Sequence, residues 1–117
     1  MDTIATTPHT LTDEVVELIA RRFRVLGDPT RIKLLNRLRS GEAGVHELCA
    51  LVGSTQQNVS KHLAVLADAG IVARRREGNA TRYRVVDEGV FRLCEDVCGE
   101  MERRFEDLRD ALRSVGA

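Results

Sequence analysis

The side chains best suited to chemistry are three cysteines. Cys94 and Cys98 stand four residues apart. On a helix that spacing puts both sulfurs on one face, a few ångströms from each other. Two thiolates and a third soft donor suit a trigonal thiophilic ion such as arsenite or cadmium. Cys49, or a cysteine of a second copy, is the candidate third donor. Two other readings fit the same residues. Cysteine packs as a small hydrophobe, and Cys94 and Cys98 share an apolar seam with Met101 and Phe105. A thiol-redox role is the other, although a helix holds an i, i+4 pair too rigidly for an unstrained disulfide. His46, three before Cys49, reads better as a surface histidine than as a ligand.

A second constellation is polar and runs Thr55, Gln56, Gln57, Asn58, Ser60, Lys61 and His62. Gln and Asn pair bidentately with adenine in a major groove, and Ser, Thr and Lys reach bases or phosphates. The first turns of a recognition helix are where such residues are needed. A third is cationic: Arg74, Arg75, Arg76, Arg82 and Arg84 around Asn79. On regular strands Arg74 and Arg76 share one face and Arg75 takes the other, while Arg82 and Arg84 share a face. Arg74, Arg76 and Arg82 are candidates for phosphate contact, and Asn79 for reaching a minor groove. The alternative is an edge strand protected by its charge.

These groups need elements to position them. Thr12 caps a first helix with Asp13 and Glu14 in its first turn, and Val15, Leu18, Ile19, Phe23 and Leu26 form its apolar stripe. Asp28-Pro29 opens a second, with Ile32, Leu34, Leu35 and Leu38 inward. A third spans about Val45–Val52 and stops at Gly53, and Ser54 or Thr55 caps a fourth that buries Val59, Leu63 and Leu66. A short helix, a tight turn and a longer helix are the spacing of a helix-turn-helix. Ile71–Arg76 and Thr81–Val86 read as strands joined through Glu77-Gly78-Asn79-Ala80, which makes a wing. From about Asp87 a long amphipathic helix carries Val90, Phe91, Cys94, Val97, Cys98, Met101, Phe105, Leu108 and Leu112. A chain this small has little to cover that stripe, so a second copy is expected on it, helped by the first helix.

The expected fold is mainly α with a small β-hairpin: four helices, the hairpin and a fifth helix, as a winged helix-turn-helix. Residues 1–10 read as a flexible arm and residues 11–117 as one DNA-binding and dimerisation domain. The length of 117 residues allows one modest core. Eighteen basic and 18 acidic residues cancel, a balance that by itself discourages a nucleic-acid partner. The charge is segregated, however. Residues 71–86 stand at +4 and residues 87–117 at −4, so the hairpin is where a polyanion would bind. With four aromatic residues, three Phe and one Tyr, binding of single strands by base stacking is not expected.

No Gly-rich phosphate loop, nucleophile–base pair or metalloprotease motif is present, so an enzyme is not expected, nor is an organic cofactor. No apolar run approaches membrane-spanning length, and no secretory signal opens the chain. The expected compartment is the cytoplasm, where thiols stay reduced.

The chain resembles the ArsR/SmtB winged-helix repressors. The residues that carry the resemblance are Phe23-Arg24-Val25-Leu26-Gly27-Asp28-Pro29-Thr30-Arg31, Val45-His46-Glu47-Leu48 and Asn58-Val59-Ser60-Lys61-His62-Leu63-Ala64-Val65-Leu66. Ala69-Gly70-Ile71-Val72 and Arg82-Tyr83-Arg84-Val85 match as well, so the likeness covers about residues 15–90. It implies a homodimer, paired through the first and last helices, that represses from a palindromic operator in double-stranded DNA and leaves when an inducer binds. Arsenic and cadmium sensors of that family carry Glu-Leu-Cys-x-Cys on the third helix. Here Glu47-Leu48-Cys49-Ala50-Leu51 lacks the second cysteine. Zinc sensors place Asp, His and Glu ligands on the last helix, and no histidine follows His62 here. Some arsenic-responsive members put cysteines on that helix, as this chain does. A thiophilic metal or metalloid is the inducer expected, with a thiol-redox or non-metal signal as the alternative. The reading from a different class is a nonspecific architectural DNA-binding protein.

Overall fold

The computed structural model describes residues 10–116. The expected arm, residues 1–10, lies almost wholly outside the described residues.

Helix α1, Asp13–Leu26, begins on Thr12, whose hydroxyl accepts from the Val15 N–H at 3.2 Å. Asp13 and Glu14 sit where the helix dipole favours negative charge. Helix α2, Pro29–Leu38, is capped by Asp28, which accepts from the Thr30 and Arg31 N–H groups at 2.9 and 3.1 Å. Pro29 occupies the first turn, where a missing donor costs nothing. The Asp28 carboxyl is held below the usual carboxylate range, first by the Arg31 backbone hydrogen bond.

Helix α3, Val45–Val52, ends at Gly53, whose φ of 64° needs a residue without Cβ. Three residues later helix α4, Gln56–Asp68, starts, with Thr55 as its cap. The tight turn of the expected helix-turn-helix is therefore present, and Thr55 rather than Ser54 supplies the cap.

The hairpin is β2, Val72–Glu77, and β3, Ala80–Val85, paired antiparallel from Val72 with Val85 to Glu77 with Ala80. Gly78 turns the chain with φ of 62°, while Asn79 keeps a negative φ. A positive φ at the first turn position alone is what a type II′ turn requires. A short strand that the pattern does not reveal, β1, Ala43–Gly44, adds to the other edge of β3, giving the order β1-β3-β2. Two residues are too few to show alternation. Their pairing welds the wing to the α2–α3 connection.

The core lies where α2, α3, α4 and the base of the sheet meet. Leu34, Leu48, Val59, Leu63, Leu66 and Ile71 are fully buried, with Tyr83 and Val90 closing its edges. Helix α5, Gly89–Gly116, docks only its first turns, through Val90, Phe91 and Leu93. Beyond them Val97, Met101, Phe105, Leu108 and Leu112 are exposed. Leu18, Ile19 and Phe23 of α1 are exposed too. Ile32 departs from its expected place in the core, being 47 % exposed. It faces the groove between α1, α2 and α5 instead.

Candidate nucleic-acid interface and thiol pair

The polar residues around α4 divide into two groups. Thr55 and Asn58 are occupied at the start of the helix. The Thr55 hydroxyl accepts from the Asn58 N–H at 3.1 Å, and the Asn58 amide donates to the Ser54 hydroxyl at 2.8 Å. Gln56, Gln57, Ser60 and Lys61, by contrast, line one open concavity with Thr55 and Ala64. The i, i+4 pairs Gln56/Ser60 and Gln57/Lys61 stack along the axis, and Ala64 extends the stripe by one turn. A methyl group carries no polar signal, so nothing in the sequence marks Ala64 as part of the stripe. One turn beyond Ser60 and Lys61, its methyl leaves room for a base edge and suits a thymine methyl.

His62 lies elsewhere. Its side chain is 18 % exposed and turned away from the stripe, with Nδ1 3.1 Å from the Arg31 guanidinium and 3.9 Å from the Asp28 carboxylate. The expectation that it shares the reading face gives way to a contact with the α1–α2 junction. The cause is helical phase: residue 62 is next to Leu63, which the core fixes.

The wing arginines also divide. In the observed register Arg75 stands opposite Arg82, and Arg74 opposite Tyr83. Arg75 donates to both Glu42 carboxylate oxygens, at 3.2 and 2.5 Å. Arg82 donates to the same carboxylate at 3.1 Å. Its Nη2 donates to the Glu42 backbone carbonyl at 3.4 Å, its Nη1 lies 3.8 Å from the Glu47 carboxylate, and its Nε is 3.7 Å from Glu77. The Glu42 carboxyl is pulled down to about 2, first by the Arg75 hydrogen bond and then by Arg82. Arg75 is correspondingly raised. Arg82, expected to contact phosphate, is thus a clamp midway along the wing. Arg74 and Arg76 are exposed and have no carboxylate partner among the described residues. Asn79 is exposed at the tip. Glu42 carried no signal in the sequence beyond its charge; its role follows from β1, which places it beside β3.

The three cysteines do not converge within one chain. Cys49 packs half-buried against the core from α3. Cys94 and Cys98 instead line a groove of about 610 Å³ with Phe23, Leu26, Ile32, Leu35 and Met101. Arg39 crosses the groove wall, 5.1 Å from the centre of the Phe91 ring and paired with Glu95. Among the described residues no group of three or more His, Cys, Asp or Glu is placed to hold a metal ion. The expectation of Cys49 as a third donor in the same chain is therefore not met. Cys49 does not line the groove that Cys94 and Cys98 share, so a third sulfur for that pair has to come from outside the chain. No helix among the described residues is long and apolar enough to cross a membrane.

A helix-turn-helix with a hairpin against it, an open polar stripe on the second helix and unpaired arginines on the hairpin define a winged-helix DNA-binding protein. The chain belongs to the ArsR family: residues 28–74 match the family described as bacterial regulatory protein, arsR family. It is 40 % identical to the transcriptional regulator KmtR of Mycobacterium tuberculosis over 89 residues, covering 76 % of this chain and 68 % of that one. The fold is similar to the crystal structure of AntR, an antimony-specific transcriptional repressor, with a TM-score of 0.71 and 34 % identity, over 91 % of this chain and 96 % of AntR. It is also similar to a homodimeric winged helix-turn-helix DNA-binding domain from Mycobacterium bovis (TM-score 0.70, 29 % identity, 80 % and 87 % covered). The chain spans between 59 % and 68 % of the length of the first curated relatives it matches. The family consists of DNA-binding regulators, not enzymes.

Proposed function

We propose that the protein is a transcriptional repressor whose two copies pair through α1 and α5 and read a palindromic operator with α4. The observation that carries this reading is the stripe Gln56, Gln57, Ser60, Lys61 and Ala64, open and uncommitted beside the free Arg74 and Arg76. Gln56 and Gln57 supply adenine recognition, Lys61 and the two arginines neutralise phosphate, and Asn79 extends toward the minor groove. The sequence-specific contacts set this reading apart from an architectural protein. Dimerisation is supported by the exposed apolar faces of α1 and α5 and by the homodimeric relative. The two reading helices must then meet successive major grooves, about 34 Å apart.

The inducer is a thiophilic metal or metalloid held by Cys94 and Cys98, a reading that the antimony-specific relative supports. The pair supplies two soft donors from a groove open to the partner, and the partner or a small thiol completes the set. In the reducing cytoplasm both thiols stay available. Ligation at the dimer interface favours one spacing of the reading helices, and a few kcal/mol of differential affinity is enough to empty the operator.

The test is a DNA-release titration. Reduced protein is bound to the duplex it enriches from a random library, and antimony(III), arsenite or cadmium is added while thiolate absorption is followed. Wild type is expected to release DNA as the absorption saturates. Cys94→Ser/Cys98→Ser is expected to bind the duplex equally well and to hold it throughout. Release from the double variant at the wild-type concentration removes the two cysteines from the site.

A further inference from the structure

His62 lies on the same helix as the polar stripe yet points away from it, and the group it meets touches three elements at once. The Arg31 guanidinium donates through Nε to the Val25 carbonyl at 2.6 Å and through Nη2 to the Arg24 carbonyl at 3.2 Å. Both carbonyls belong to the last turn of α1, where no intrahelical donor reaches them. The remaining arm, Nη1, is 3.1 Å from His62 Nδ1 on α4. Arg31 has no acceptor to offer, so Nδ1 accepts and the ring proton resides on Nε2. Asp28, 3.9 Å from Nδ1, caps α2 beneath the same guanidinium through the Arg31 backbone. One rigid fork therefore joins the C-terminal end of α1, the start of α2 and the reading helix. A second arginine acts at the far end of α4. Arg22 of α1 donates to the Ala69 carbonyl at 3.2 Å and pairs with Asp87, just before α5.

Packing alone leaves α4 some freedom. Val59, Leu63 and Leu66 hold it on the core, but apolar contacts carry no direction, and a small roll about the helix axis preserves them. The same roll moves Gln56, Gln57 and Ser60 across the groove. A hydrogen bond from a planar fork is directional, and a roll breaks it.

We infer that Arg31 and His62 are positioning residues: their hydrogen bond sets the roll of the reading helix relative to α1 and α2, and with it the sequence that the helix accepts. His62 makes no contact with DNA in this arrangement. The inference rests on the DNA-reading function proposed above.

Two polar variants of His62 test it, since both keep a folded, hydrophilic side chain. His62→Asn places its amide oxygen near the Nδ1 position, while His62→Gln carries its acceptor out toward the Nε2 position. The probes are the duplex that wild type enriches from a random library and a scrambled duplex of the same composition. His62→Gln is expected to lose about tenfold on the enriched duplex, the scale of one hydrogen bond to a charged donor. Its affinity for the scrambled duplex and its salt dependence should stay at the wild-type values. His62→Asn is expected to stay within about twofold of wild type on both duplexes, given a preserved acceptor. Arg31→Lys should cost as much as His62→Gln, and the double variant no more than either alone, because the two act as one unit. Additive losses, an equal loss on scrambled DNA or an undiminished His62→Gln each overturn the positioning role while leaving DNA reading intact. A wild type that enriches no sequence overturns both.

Discussion

Glu42 shows how one carboxylate decides what the neighbouring cations are free to do. It accepts from Arg75 and Arg82, which leaves Arg74, Arg76 and Arg84 as the exposed cations of the wing without a carboxylate partner among the described residues. Its pKa lies at about 2 against an ordinary 4.5, with the Arg75 hydrogen bond as the first cause. A folded pKa below the unfolded one means the carboxylate stabilises the fold above pH 4.5. That stabilisation fades as pH falls from about 4.5 toward about 2. Glu42→Gln is accordingly expected to melt below wild type at pH 7, with the gap closing at pH 3 and below. Thermal melts across that range check it, and a gap of equal size at both ends would show that the charge is not what Glu42 contributes. Residue types announced half of this arrangement. The arginines were visible in the sequence, but the partner was not, since an isolated Glu after the Ser40-Gly41 turn looks like any solvated acid. His62 is the same lesson in reverse, because a polar residue in a polar run faces whichever way the helical phase dictates.

At the level of elements, caps and periodicity carried most of the fold. Thr12, Asp28 and Thr55 cap their helices as their residue types require, and α3 spans Val45–Val52 as its apolar pattern indicates. The short β1 and its weld to β3 were not legible, because pairing at a distance leaves no local trace in two residues. The apolar faces of α1 and α5 were legible as faces, but one chain does not bury them. In α5 the residues Phe91, Cys94, Cys98, Met101, Phe105, Leu108 and Leu112 follow one another at alternating intervals of three and four. That is a period of 3.5 residues, the seam of a left-handed coiled coil rather than of a helix lying on a globule. Phe105 is 66 % exposed in the chain, so a charge there leaves the folded chain undisturbed and strikes only the pairing. Phe105→Glu is expected to sediment as a monomer at concentrations where wild type is a dimer, with an unchanged far-ultraviolet circular dichroism spectrum. Because two half-sites no longer bind as one unit, its affinity for a palindrome should fall at least tenfold, toward that for a single half-site. A dimer that survives the substitution would move the interface off this seam.

For the whole molecule, the zero net charge is the sum of a wing at +4 and an α5 segment at −4, and the two ends serve opposed purposes. The wing lies at the end of the molecule that carries α4, while the distal α5 carries its acids away from the core. In a dimer joined along the apolar seam of α5, the acids on the outer surface of that helix lie between the two DNA-facing ends and repel phosphate, so DNA is expected to meet one face only. Binding strength then depends on few cations, and salt should reveal which. Each phosphate neutralised contributes about 0.9 to the slope of log K against log salt. Arg76 is free, and a dimer has two copies, so Arg76→Ala is expected to flatten the slope by about 1.8 on that scale. Arg82 is already neutralised by Glu42. Arg82→Ala should leave the slope nearly unchanged and act instead on stability, by loosening the clamp between β3 and the α2–α3 connection. Isotherms at four or five salt concentrations, with thermal melts of the same proteins, separate the two. An equal loss of slope in both variants would mean that the clamp opens on DNA and that Glu42 surrenders its arginines to phosphate. A release of that kind would make the Glu42 cluster part of the binding reaction rather than a fixed support for the wing.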